Sequence, residues 1–235
     1  MIIDVALTPA DIALLPKRDL TQTTCVVFDV LRATSSMITA FAHGAQEIHP
    51  VQTLDEAFAL RDELGGGLLA GERDGERPNR FDFGNSPLEF LNCRGNRIIW
   101  TTTNGTVALR ACEQAARVLV GALLNLQSLV EELSWDEPER VLLVCAGTFD
   151  EFALEDATAA GRLIAELPEA QLTDAAHAAL SVARAYPQPL DALRAARNGK
   201  VLASRGRGKE VEWCGRLSVY NVGACMDGVV IRPIE

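Results

Sequence analysis

Short runs of aliphatic and β-branched residues alternate along this chain with Ala-rich stretches, and several of the runs are apolar at consecutive positions rather than at every second one. A strand such as TCVVFD (Thr24–Asp29) or RVLLVC (Arg140–Cys145) therefore has no face to turn to water. It must be covered on both sides, as in a largely parallel sheet whose crossover helices pack on both faces. The chain has 235 residues, 48% hydrophobic and 23% charged. That is enough to bury a large core without disulfides or structural metal, and too apolar for a disordered chain. We expect one α/β domain over residues 1–235, or two similar lobes, built on a mostly parallel or mixed sheet.

The first clear unit is a strand over Thr24–Asp29, a loop through Arg32 and Ala33, and a helix from Thr34 to His43 closed by Gly44 as C-cap. Ala45–Val51 reads as the next strand. Thr53 and Glu56 form a capping box for a helix to Leu64, which three glycines stop. A strand over Leu68–Gly71 then enters GERDGERPNRFDFGNSP (Gly71–Pro87), a polar loop too long for a plain connector and of the kind that carries function. Further strands are expected at Arg97–Thr101, Arg117–Gly121 and Arg140–Cys145. Helices are expected at Val107–Ala115, from an Asn125 cap to Leu133, and at Leu154–Leu167. Thr173–Asn198 is Ala-rich, a helical stretch broken by Pro187 and Pro189, and Leu217–Ile234 is weakly strand-like. A shift of 72 residues lays Asp29–Thr34 on Thr101–Thr106, so a duplicated strand-loop-helix unit is one origin of the pattern and ordinary α/β alternation another. Both loops lie where open α/β sheets bind ligands, at carboxyl ends of strands beside helix N-termini.

Charge and composition narrow the function classes. Lys and Arg number 22 against 32 Asp and Glu, a net charge of −10, which excludes a nucleic-acid binder with a basic face. An anionic ligand would need positive charge gathered locally. No long apolar run and no basic leader precede the first elements, so neither a membrane span nor a signal peptide is expected, and the cytoplasm is the expected compartment. The six cysteines include no C-x-x-C pair, and the three histidines (His43, His49, His177) are scattered, so both types read as structural.

The candidate chemistry lies in the loops. TTTNGT (Thr101–Thr106) concentrates hydroxyls, an amide and backbone N–H groups at a helix start, the equipment for holding a phosphate or sulfonate, or for a plain capped turn. Asp29 ends an apolar strand, a suitable place for a metal ligand or a nucleophile, and Arg32 can grip an oxyanion with two N–H groups; a simple Asp29–Arg32 ion pair is the structural alternative. The long loop adds Glu72, Arg73, Asp82, Asn85 and Ser86, and the loop after Cys145 adds Asp150, Glu151, Glu155 and Asp156. Oxygen ligands drawn from several loops suit Mg²⁺, held by one or two carboxylates plus substrate oxygens.

FDVLRATSS, GERDGERPNRFDFGNSP, TTTNGTVAL, GALLN and VCAGTFDEFALED, in that order and spacing, closely resemble the ComB family, the 2-phosphosulfolactate phosphatases of coenzyme M biosynthesis. The resemblance runs from Cys25 to Leu167; Arg80 stands where the family has glycine, and the C-terminal third, including SRGRGKEVEWCGRL, matches loosely. It implies a three-layer α/β/α fold and a Mg²⁺-dependent phosphomonoesterase that releases phosphate from 2-phospho-3-sulfolactate, a small, strongly anionic substrate. On that reading Asp29 and Arg32 are catalytic, and Asp29, Asp82, Glu155 and Asp156 supply the metal ligands. Thr34, Ser35, Arg73, Asn85, Ser86, Thr102, Thr103, Asn104, Gly105 and Thr106 bind substrate. No nucleic acid or membrane partner is expected, and a homodimer is the assembly allowed for. Other readings are a phosphatase of another small phosphorylated acid and a non-catalytic small-anion binding protein. A haloacid-dehalogenase-type enzyme would need a second Asp where Leu31 stands, and a Cys145 thiolate nucleophile lacks the arginine-closed phosphate loop it would require.

Overall fold

A computed structural model describes residues 1–234. The strands are β1 (Ile2–Ala6), β2 (Thr23–Phe28), β3 (Glu47–Pro50), β4 (Leu68–Gly71), β5 (Arg97–Thr101), β6 (Arg117–Gly121), β7 (Arg140–Cys145), β8 (Gln171–Leu172), β9 (Ala224–Asp227) and β10 (Val230–Pro233). The helices are α1 (Pro9–Ile12), α2 (Ala33–Ala42), α3 (Leu54–Glu63), α4 (Gly105–Ala111), α5 (Leu126–Asp136), α6 (Leu154–Ala165), α7 (Asp174–Ala185), α8 (Pro189–Ala195), α9 (Arg197–Ser204) and α10 (Gly208–Cys214).

All ten strands join one mixed sheet in the order β4-β5-β3-β10-β9-β6-β2-β7-β1-β8. Two parallel blocks, β4-β5-β3 and β6-β2-β7-β1-β8, meet across the antiparallel hairpin β9-β10 and so run in opposite senses. Five steps separate β5 from β2. At a twist of roughly 20–25° per step they accumulate about 100–125°, enough to turn the carboxyl ends of the two blocks toward each other.

Alternation along β2 explains the three layers. Cys25 and Val27 point into a core with Met37 and Ile38 of α2 and Ala108 and Leu109 of α4, while Val26 and Phe28 point into a core with Leu129 and Leu133 of α5 and Leu163 of α6. Every residue of β2 is buried, as its unbroken apolar run demands. The fold is thus a three-layer α/β/α sandwich. Gly44 closes α2 at φ 87°, and the Thr53 hydroxyl accepts from Glu56 N at 3.1 Å to open α3.

Several expectations need correction. Asn125 does not cap α5; its side chain accepts from Ala122 N and donates to the Val120 and Val222 carbonyls, tying β6 to the C-terminal segment. The helix expected from Val107 to Ala115 begins at Gly105 and ends at Ala111. β1 was not anticipated, because the polar Asp4 interrupts IIDVA, and neither were α9 and α10 as separate helices. No helix among the described residues is long and apolar enough to cross a membrane.

Helix α6 packs closely on α7: a Cβ on Gly161 would fall 2.1 Å from the Ala179 carbonyl oxygen and 2.8 Å from the Ala183 methyl. Gly161→Ala should therefore overpack a rigid backbone contact and lower stability by about 2–3 kcal/mol, read as a lower urea midpoint at unchanged m-value.

Candidate active site

The candidate site lies where the loops after β2, β4, β5 and β7 converge. A polar cleft of about 80 Å³ is lined by Asp29, Leu31, Arg32, Glu72, Asn85, Thr103, Asn104, Gly147, Thr148, Phe149 and Asn198.

Asp29 follows β2 directly and is 7% exposed. Its carboxylate accepts from Ala33 N at 3.2 Å, and Thr34 N is taken by the Asp29 carbonyl at 3.0 Å, so the opening turn of α2 holds Asp29 itself. Gly105, at the start of α4, is the residue that permits this approach: a Cβ there would stand 2.6 Å from Asp29 Oδ2. Burial, then the nearby Glu72 carboxylate, push the Asp29 carboxyl up to about 6, against the opposing pull of the Ala33 amide and Arg32.

Behind it, α6 begins with two acids in the turn where acids are favoured. Asp156 accepts from Val30 N at 2.8 Å and Gly147 N at 3.0 Å, joining the loops after β2 and β7. Glu155 is 1% exposed, and its Oε2 is buried without a hydrogen-bond partner. Burial and the Asp29 charge raise the Glu155 carboxyl to about 7, and burial together with Glu155 and Asp29 raises Asp156 strongly. These carboxylates repel one another in a place where water cannot screen them. Burial and the same acids also push the Cys145 thiol well above its ordinary range, which disfavours a thiolate there.

The other expected residues divide. Thr103, Asn104 and Asn85 line the cleft, and Asn85 Oδ1 is buried without a partner. Asn104 donates to the Ala146 and Phe149 carbonyls and so supports the loop after β7. The hydroxyls of Thr34 and Ser35 are turned to backbone, bonding Asp29 N and the Val30 carbonyl, and Thr102 and Thr106 bond each other's main chain. Ser86 lines an adjoining cavity with Arg32 and Glu210. Arg73 and Asp82 are not brought to the cleft. Arg73 donates to the Gln52 and Glu72 carbonyls and to Thr101, and exposed Asp82 accepts from Leu69 N at the edge strand. Arg32 is not paired with Asp29; its Nη1 donates to Glu210 on α10.

Two contributors, Asn198 and Glu210, were not picked out in the sequence, and Glu72, named there among the long loop's candidates, was given no role. Glu72 accepts from Gly75 N and Thr103 N, joining the long loop to the β5–α4 loop. Asn198 of α9 donates to the Leu31 carbonyl at 2.5 Å. For Glu210 the cluster of charges in SRGRGKE was the available signal. The histidines lie elsewhere: His43 bonds Tyr220, His49 bonds Glu47, and His177 is exposed.

No group of three or more His, Cys, Asp or Glu side chains forms a metal-ligand set among the described residues. The donor chemistry fits a hard ion that needs only one or two protein carboxylates, with Asp29 and the unpartnered Glu155 Oε2 as the available oxygens.

A mixed α/β sheet whose loops gather acids, amides and one guanidinium around a small cleft defines an α/β enzyme acting on a compact polar ligand. Comparison with known proteins gives the family: the model of 2-phosphosulpholactate phosphatase matches residues 10–227, and the chain belongs to this family of phosphoric monoester hydrolases. A probable 2-phosphosulfolactate phosphatase of Carboxydothermus hydrogenoformans is 38% identical over 203 residues, covering 84% of this chain and 83% of its own. Its counterpart in Thermotoga maritima is 36% identical over 225 residues, covering 94% and 97%, and that of Deinococcus radiodurans is 38% identical over 200 residues, covering 82% and 83%.

The buried acids have a consequence for stability. Glu155 is raised from 4.5 to about 7, so the native state keeps a proton that the unfolded state releases. Its contribution is complete below about pH 4.5 and is lost as pH rises toward 7. In chelator, Glu155→Gln should match the parent at pH 4 and exceed its stability by on the order of 2 kcal/mol at pH 8, as measured by urea unfolding. A gap independent of pH would show that Glu155 is not held protonated.

Proposed function

We propose that the protein is a Mg²⁺-dependent phosphatase that hydrolyses 2-phospho-3-sulfolactate to 3-sulfolactate and phosphate, the reaction type of coenzyme M biosynthesis. The family and the relatives' names support the substrate reading, and the charge balance of the cleft supports the metal. Asp29 and Glu72 line it with Glu155 and Asp156 behind, against the single guanidinium of Arg32. A substrate bearing phosphate, sulfonate and carboxylate would be repelled from such a site unless a cation compensated the acids.

Asp29 and Glu155 would hold that ion, while Asp156, bonded to the Val30 and Gly147 amides, keeps both loops in place behind them. Bound there, Mg²⁺ supplies Lewis-acid stabilisation of charge on the phosphoryl oxygens. Arg32 spends two of its N–H groups on Glu210 and the Gly75 carbonyl and has the others for an oxyanion. Thr103, Asn104 and Asn85 offer polar groups on the remaining walls. The carboxylate of Asp29 either ligates the ion or attacks phosphorus, and both roles require its charge.

The test is phosphate release from a panel of phosphosulfolactate, phospholactate and phosphoglycolate, with Mg²⁺ and with excess EDTA. Turnover should favour phosphosulfolactate and vanish in EDTA; full activity in chelator would remove the metal from the reading. Release from none of the esters would leave a small-anion binding protein. Asp29→Asn should fold normally and lower kcat by about a hundredfold or more. Weakened Mg²⁺ affinity in that variant would mark Asp29 as a ligand, and unchanged affinity as the nucleophile.

A further inference from the structure

We infer that Glu210, on the C-terminal helix α10, is a positioning residue that sets the orientation of Arg32 toward the anionic substrate; this rests on the reading above that Arg32 meets a substrate oxyanion. Glu210 lies 178 residues from Arg32 in sequence, yet the two form a buried ion pair, 9% and 5% exposed. The other Nη of Arg32 donates to the Gly75 carbonyl at 3.2 Å. The guanidinium is thus fixed at both terminal nitrogens, and its plane is set by α10 on one side and by the long loop on the other.

The second anchor is itself built from the C-terminal segment. The Gly75 carbonyl also accepts from Arg207 Nη1 at 2.6 Å, and Arg205 Nη1 donates to the Asp74 carbonyl at 3.1 Å. Gly75 N donates to Glu72 Oε2 at 2.7 Å, and Glu72 Oε1 accepts from Thr103 N at 2.8 Å. A continuous path of bonds runs from Glu210 through Arg32, Gly75 and Glu72 to the cleft wall at Thr103.

Two physical arguments separate positioning from other roles. A buried ion pair adds little net stability over a well-packed apolar pair, so folding alone does not account for it. A carboxylate beside Arg32 also lessens the attraction of the site for an anion. Glu210 therefore works against binding by its charge and can favour it only through geometry, by holding the guanidinium where its free N–H groups face the cleft.

The two effects have opposite signs, which makes the inference testable with inorganic phosphate as probe. Glu210→Gln removes the charge and keeps the reach; Glu210→Asp keeps the charge and shortens the reach. Phosphate affinity in the presence of Mg²⁺ is measured by calorimetry for each variant and the parent, with thermal melts as the check on folding. Positioning predicts that both variants bind phosphate about tenfold more weakly and lose kcat/KM for the ester in proportion. Unchanged or tighter binding by Glu210→Gln, or normal binding by Glu210→Asp, would overturn it, and the Asp variant keeps the ion pair's charges should the Gln variant fold poorly. A parent protein that binds no phosphate would overturn it as well. A parent that binds phosphate but hydrolyses no ester would end the phosphatase reading and leave the Glu210 comparison intact, whereas an active parent with unaffected variants would do the reverse.

Discussion

The site depends first on a single buried carboxylate. Asp156 reaches from the start of α6 and accepts one backbone N–H from the β2 loop and one from the β7 loop, at Val30 and Gly147. Two loops that would otherwise end in unpaired amides at the carboxyl edge of the sheet are thereby closed over the same side chain. Asp29 sits one residue before Val30, so its place is fixed by that bond as much as by its own contact with Ala33 N. Burial also raises the Asp156 carboxyl well above its ordinary range, and its repulsion with Glu155 and Asp29 is the local penalty of the arrangement. A cation would compensate the same acids, which links the stability of the apo protein to the proposed metal through one set of charges.

The β2–α2 and β5–α4 loops solve their shared problem in related ways. In each, a threonine hydroxyl near the helix start satisfies a main-chain N–H just past the strand: Thr34 for Asp29 N and Thr106 for Thr102 N. These hydroxyls look like anion ligands in the sequence, but they serve the loop. The groups left facing the cleft are the ones the turns do not consume, namely Thr103, Asn104 and Arg32. Gly105 then lets the second loop approach the first, since any larger residue would collide with Asp29.

Much of this was legible in the chain. Unbroken apolar runs such as TCVVF and VLLVC identified buried parallel strands, and the loops at their carboxyl ends held Asp29, Arg32, Asn104, Glu155 and Asp156. What could not be read was which side chains would turn inward. Arg73 and Asp82 belong to the same loop as Glu72, yet Arg73 closes onto Thr101 and Asp82 onto Leu69, because that loop doubles back along the edge strand β4 before it reaches the cleft. Local sequence carries no signal for that path.

The C-terminal third was opaque for a different reason. Its helices α7 and α8 follow from Ala-rich periodicity and two prolines, but α9 and α10 are short, and their functional contacts pair positions more than 120 residues apart. Glu210 and Arg207 satisfy no local rule; each makes sense only once Arg32 and Gly75 stand beside it. The segment closes the sheet as well, since the β9-β10 hairpin that follows α10 joins the two parallel blocks and makes their opposite directions compatible with one continuous sheet. Register between the blocks, the convergence of their loops and the orientation of Arg32 therefore all depend on the last thirty or so residues, a part of the chain that reads only as a charged stretch followed by a weakly strand-like one. Non-local closure of this kind carries a loop-entropy penalty that local elements avoid, and here it is offset by apolar burial, with Ala224, Met226 and Ile231 in one core and Val211 and Cys214 in the other.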